Sequence, residues 1–239
     1  MPGRPHEPGS LTEHGYARSA IGVMLGPVTA DSEAETKQLT DAAIGVLCAG
    51  ARLELILCAL DDGLEQAWRT VAAGLPGVRV HRGSVLDVGA GGVVSPANSY
   101  GWMRGGVDAL YAQAFPEVEQ NVRSAVLAYH GGELPVGEAV IVPTGADAPA
   151  WLFSSPTMRE PGERLPPDTV HPYLAARAVF RLWRDGTLED GSPVRDAVGS
   201  IALPGLGTGI GGVSPGTCAR QVVAAWSEII SDIGEPNYR

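Results

Sequence analysis

Hydrophobic and polar positions alternate along this chain in blocks that read as strands and helices by turns. Residues 53–60, Leu53-Glu54-Leu55-Ile56-Leu57-Cys58-Ala59-Leu60, form an almost unbroken apolar run, the pattern of a largely buried strand. Asp62 then offers an N-cap with Glu65 three residues on, a capping-box spacing. Leu64, Ala67, Trp68 and Val71 follow at helical intervals, and Leu75-Pro76-Gly77 ends the helix. Val78 to His81 predicts a second strand, and Gly91 to Ser95 a third that runs into a polar, glycine-rich loop. A helix starts near Val107, with Leu110, Tyr111 and Ala114 on its apolar side. Pro116 breaks it and can occupy the first turn of the next, whose stripe is Val118, Val122, Ala125, Val126 and Tyr129 and whose end is Gly131-Gly132.

The second half repeats the alternation. Ala139 to Val142 and Trp151 to Ser155 predict strands, and the charged, proline-rich stretch Met158 to Asp168 predicts an exposed loop. Tyr173, Ala176, Phe180 and Trp183 space a helix with Arg177, Arg181 and Arg184 on its wet side. Ser200 to Pro204 is a last strand. Ser214 caps a closing helix that has Pro215 in its first turn and Cys218, Val222, Ala225 and Ile229 inward. Strand–helix alternation over 53–233 predicts an α/β fold with helices on both faces of a sheet. Residues 1–50 read as a partly disordered N-terminal extension, 51–234 as the folded domain and 235–239 as a C-terminal tail.

Composition narrows the chemistry. The net charge of −10 lacks the basic face that a nucleic-acid backbone requires, so nucleic acid is not expected as a partner. The three cysteines, Cys48, Cys58 and Cys218, form neither a disulfide framework nor a zinc spacing and read as buried free thiols of a cytoplasmic protein. The five histidines (His6, His14, His81, His130, His171) form no ligand pair, and no metal or cofactor is expected. No apolar run reaches the ~18 residues of a membrane span. Lys37 is the only lysine, which excludes a Walker phosphate loop and disfavours a lysine nucleophile.

Two loops carry candidate chemistry. In Ser95-Pro96-Ala97-Asn98-Ser99-Tyr100-Gly101-Trp102-Met103-Arg104-Gly105-Gly106-Val107-Asp108, a strand ends and a helix begins. The N–H groups of such a helix start suit an anion such as phosphate. Asn98 is a neutral donor and acceptor, and Asp108 a candidate general base. The same residues also fit a plain strand-to-helix turn, with Asn98 as turn former and Asp108 as a first-turn carboxylate stabilised by the helix dipole. Gly205-Leu206-Gly207-Thr208-Gly209-Ile210-Gly211-Gly212 repeats the arrangement, and its concave N–H groups suit a pyrophosphate. Its match to the dinucleotide fingerprint is rejected, because no strand with an acidic residue about 20 positions later follows.

Together, Ser95-Pro96-Ala97-Asn98-Ser99 with Gly105-Gly106-Val107-Asp108, and Ala202 to Pro215 around Gly207-Thr208-Gly209-Ile210, resemble the two signature loops of macro domains. The resemblance implies a three-layer α/β/α sandwich with a mixed central sheet. It also implies ADP-ribose and ADP-ribosylated proteins as partners. Carried over residue by residue, it implies that Gly105, Gly106 and Val107 line the diphosphate and distal ribose, and that Gly207, Thr208, Gly209 and Ile210 cover the diphosphate from the other side. Asn98 matches the asparagine at the distal ribose, and Asp108 the aspartate that orients or activates water in hydrolytic members; both are expected as catalytic residues, Asn98 helping Asp108 to position the water. Ser84, Val85, Ser95, Ala97, Gly205 and Gly211 complete the expected ligand-binding set. The chain departs from the pattern at Ser95, where the family usually has asparagine, and at Ser84, where an aspartate usually meets the adenine. It departs again at Gly211, where many members place an aromatic, and at Trp102-Met103-Arg104, which replaces a glycine-rich start. The leading expectation is an ADP-ribosylhydrolase acting on an acidic-residue ester. The alternatives are a non-catalytic ADP-ribose or nucleotide reader, and a scaffold whose glycine loops are structural.

Overall fold

A computed structural model describes residues 52–230; the expected extension (1–50) and tail (235–239) lie outside the described residues, as do Cys48 and Lys37. Six strands form one sheet: β1 (Glu54–Ala59), β2 (Val78–Arg82), β3 (Gly92–Ser95), β4 (Val140–Pro143), β5 (Trp151–Ser154) and β6 (Ser200–Leu203). Their spatial order is β2-β1-β6-β3-β5-β4. All neighbours run parallel except β4, which pairs antiparallel with β5 and makes the sheet mixed.

Period-two alternation sends successive strand residues into two separate cores. Leu55, Leu57, Ile201, Leu203, Val94 and Phe153 face one side. There they meet Trp68 of α1 (Asp62–Ala72), Phe180 and Trp183 of α4 (His171–Asp185), and Val222 and Trp226 of α6 (Pro215–Ile229). Ile56, Cys58, Ala202, Val93 and Leu152 face the other. They pack on Tyr111 of α2 (Gly106–Ala114) and on Val118, Val122 and Val126 of α3 (Val118–His130). The result is the expected α/β/α sandwich. Cys58 lies in the second core and Cys218 in the first; both are free thiols, and burial pushes each up to about 12.

Local signals explain several element boundaries. Ser214 caps α6 through its Oγ, which accepts from the Thr217 N–H at 3.2 Å, and Pro215 fills the first turn. Gly131 ends α3 in the left-handed region (φ 64°), and the N–H groups of Gly131 and Gly132 donate to the Leu127 and Val126 carbonyls. Other positions differ from expectation. The cap of α1 is Asp61, whose Oδ1 accepts from Leu64 N at 2.9 Å, so Asp62 and Glu65 form no capping box. Glu65 instead pairs with Arg69 one turn on. Tyr129 is 66% exposed, Ala114 also faces outward and Leu110 lies at the cleft outside the core; Phe115 joins Tyr111 in the core instead. Within the charged stretch 158–168, Met158 and Leu165 are buried. Arg177 is not simply solvated: it pairs with Glu228 and ties α4 to α6. A one-turn helix, α5 (Val194–Ala197), precedes β6 and buries Val194; the sequence pattern did not indicate it.

Candidate active site

The parallel strands deliver their following loops to one end of the sheet, where ligands gather in open α/β folds. A cavity of about 880 Å³ lies there. Its walls come from the chain after β1 (Leu60, Asp61), after β2 (Gly83, Ser84, Val85), after β3 (residues 96–98, 102 and 104–108), after β5 (Thr157, Met158) and after β6 (residues 204, 205 and 207–211). The two glycine loops therefore share one cleft, and they approach closely: a Cβ on Gly105 would stand 3.5 Å from the Ile210 Cδ1. That volume is in the usual range of small-molecule sites, and the lining is mainly apolar with few polar groups.

The first loop places its polar groups by hydrogen bonding. Asn98, 6% exposed, folds the turn around itself: its Oδ1 accepts from Tyr100 N (3.1 Å) and Trp102 N (3.3 Å), and its Nδ2 donates to Trp102 O (2.8 Å). The Glu119 carboxylate of α3 accepts from Met103 N at 3.0 Å and fixes the next residue. Helix α2 then opens at Gly105 with no side-chain cap, and Gly106 takes φ 58°, a conformation that glycine adopts without strain. Nothing lies within 4 Å of the Cβ position at Gly106, so the backbone there is open to the cleft. The N–H groups of the first helical turn and the positive end of the helix dipole both favour an anion at this point.

Asp108, in that first turn, is 9% exposed yet forms part of the cavity wall. Its Oδ1 accepts from the Ser95 Oγ–H at 2.6 Å. Burial pushes its carboxyl up to about 7, only partly offset by the Ser95 hydrogen bond. At neutral pH the group is poised between its two protonation states, the condition a general acid or base needs. Ser95 itself is fully buried at the end of β3 and does not line the cavity. It sits behind Asp108 and holds it, because strand alternation points its side chain into the layer under α2.

The second loop is braced almost entirely by backbone. Val213 N donates to Gly207 O (3.0 Å), Gly212 N to Gly209 O (3.1 Å), and Leu165 N to Gly211 O (2.9 Å). Leu206 N bonds the buried Cys218 sulfur at 3.3 Å, which anchors the loop to α6. Gly211 explains one departure from the family pattern: a Cβ there would stand 2.6 Å from Gly207 O, so no aromatic fits without rebuilding the turn. Ile210, 52% exposed, reaches over the cleft in its place.

At the β1–β2 end, Ser84 and Val85 line the cavity. Asp87 does not reach in as a substitute for the missing adenine aspartate; its Oδ2 closes the turn by accepting from Ser84 N at 3.0 Å. Ala97, Gly105, Val107, Gly205, Gly207, Thr208, Gly209, Ile210 and Gly211 all line the cavity. Cys58, Leu60, Asp61, Leu64, Leu110, Thr157 and Met158 line it too and went unnoticed in the sequence, which gives no local sign of walls assembled from distant segments.

Comparison with known proteins agrees with this geometry. The chain belongs to the macro domain family, whose model matches residues 94–222. It is similar to an uncharacterised protein of Aeropyrum pernix, with 35% identity over 150 residues, covering 62% of this chain and 69% of the relative. Among solved structures it is similar in fold to the macrodomain of Mycobacterium tuberculosis DarG (TM-score 0.51, 21% identity, 63% of this chain and 90% of that one). It is likewise similar to the Oceanobacillus iheyensis macrodomain with ADP (TM-score 0.51, 19% identity, 63% and 74%).

Proposed function

We propose that this macro domain binds ADP-ribose in the shared cleft and hydrolyses its bond to a modified protein, an acidic side-chain ester being the favoured linkage. In this reading the adenine lies toward Ser84 and Val85, the diphosphate between the loops of Gly106 and Gly209, and the distal ribose at the Asp108 end. Backbone N–H groups hold the diphosphate without a lysine. Water adds to the anomeric carbon of the distal ribose while the carbon–oxygen bond to the acceptor carboxylate breaks. Asp108 takes the proton from the water, and the carboxylate leaves with the bonding pair. An ester suits a site with one such group, because its leaving group needs no protonation. Asn98 acts as a positioning residue that shapes the loop, and Ser95 fixes the Asp108 carboxylate.

The observation that carries this reading is Asp108: a buried carboxyl raised to about 7, held by Ser95, in the wall of a cleft between two glycine loops. The test is release of ADP-ribose from a glutamate-modified protein by the wild type and by Asp108→Ala. Equal release by both removes Asp108 from the mechanism. The engagement of both polar ends of Asn98 by backbone favours a second reading, a reader without turnover. Calorimetric binding of ADP-ribose with no release from any linkage would establish the reader.

A further inference from the structure

Trp102 lines the cleft and also a smaller hollow of about 250 Å³. The indole is therefore the wall between them. Two guanidinium groups sit over it, Arg104 with Cζ 4.2 Å and Arg123 with Cζ 3.7 Å from the ring centroid. Both arginines are exposed, and among the described residues neither has a carboxylate within ion-pair distance. Their neighbour Arg159 differs: it is held by Glu133 and Glu160. Glu119, one helical turn before Arg123, accepts from Met103 N at 3.0 Å. In a chain of net charge −10, two guanidinium groups without an ion pair stack on one indole at the mouth of a cleft, where they can meet an incoming carboxylate. The hollow beyond is apolar, walled by Val126 and Leu127, the latter 67% exposed.

We infer that Trp102, Arg104 and Arg123 dock the polypeptide that bears the ADP-ribose, and that they select a segment with an acidic residue beside the modified one and an apolar side chain next to it. This rests on the reading of the cleft as an ADP-ribose site with the linkage at the Asp108 end. The group attached to the distal ribose then leaves the cleft past Trp102. A carboxylate meets the guanidinium pair, and an apolar side chain fills the hollow. Two cations and an apolar pocket match a peptide better than a nucleic-acid strand, whose repeating phosphates call for a longer basic track. Arg123 does not line the main cavity, so it acts on the acceptor and not on ADP-ribose.

The experiment uses two synthetic peptides carrying ADP-ribose through a non-hydrolysable linkage, one with glutamate flanks and one with glutamine flanks, beside free ADP-ribose. The wild-type chain is expected to prefer the acidic peptide about 3- to 10-fold at low salt, with the preference shrinking as salt is added. Arg123→Gln should lose the preference and Arg123→Glu reverse it, while affinity for free ADP-ribose and the melting temperature stay unchanged. Equal affinity of the wild type for both peptides, or a preference that survives Arg123→Gln, overturns the inference. Displacement of the acidic peptide by a single-stranded oligonucleotide at comparable concentration also overturns it, in favour of a phosphodiester ligand. Failure of the wild type to bind free ADP-ribose removes the underlying function as well.

Discussion

The two glycine loops face each other across one cleft, yet they are built for different work. The loop after β3 is held by side chains: Asn98 shapes it, Glu119 pins it, and it ends in the half-titrated carboxyl of Asp108. The loop after β6 is held by its own backbone and presents no ionisable side chain to the cavity. Burying Asp108 and holding it near neutrality disfavours the folded state, because a carboxylate is kept from water. The second loop carries no such burden. The contrast teaches that one rim carries an ionisable side chain and the other only backbone, and that the two can be altered separately.

The sharpest break of that asymmetry is Asp108→Ala, which should lower kcat for ester hydrolysis about 10²–10⁴-fold, the contribution of a positioned base. ADP-ribose affinity, measured by calorimetry, should change far less. Asp108→Asn should raise stability above pH 7 by about 2–4 kcal/mol, read from denaturant melts. The sign follows from the raised carboxyl. Asp108 in the folded chain binds its proton more tightly than in the unfolded chain. The wild type therefore loses stability as pH climbs from about 4 to about 7, whereas the amide does not titrate. The gap between the two should close at acid pH. On the opposite rim, Gly209→Val should weaken ADP-ribose binding about tenfold without altering the melting temperature, because nothing lies within 4 Å of the Cβ position. If that substitution unfolds the protein, the second loop is not the independent clamp described here. The smallest effect belongs to Ser95→Ala. Removing its hydroxyl takes away the one hydrogen bond that lowers the Asp108 carboxyl, so the rising limb of the kcat–pH profile should move up by about one unit.

How far these features were legible before any coordinates depended on how local their causes are. The closing cap at Ser214 and the stop at Gly131 were readable, because a cap or a left-handed glycine acts within a few residues. The two signature loops were readable because each is a contiguous motif. The spacing to Glu65 points to Asp62 and not to Asp61, because two adjacent aspartates look alike until the end of β1 fixes which one faces the helix. Tyr129 continued a plausible stripe, but the surface of α3 at that position meets no neighbour. The role of Ser95 was hidden, since the partner that defines it lies thirteen residues on, across a loop. The walls contributed by Leu60, Leu64 and Thr157 exist only once parallel strands bring distant crossovers to one edge.

The placement of one sulfur in each half of the sandwich has a practical corollary. Cys58 and Cys218 are buried on opposite sides of the sheet, Cys58 in the wall of the cleft and Cys218 in the core behind the second loop, and burial raises both thiols and lowers their reactivity. In a Cys48→Ser background, timed alkylation followed by peptide mass mapping would report access to the cleft wall at Cys58 and opening of the other layer at Cys218. The molecule thus carries two internal chronometers, one under α2 and α3 and the other beside the anchor of the second loop.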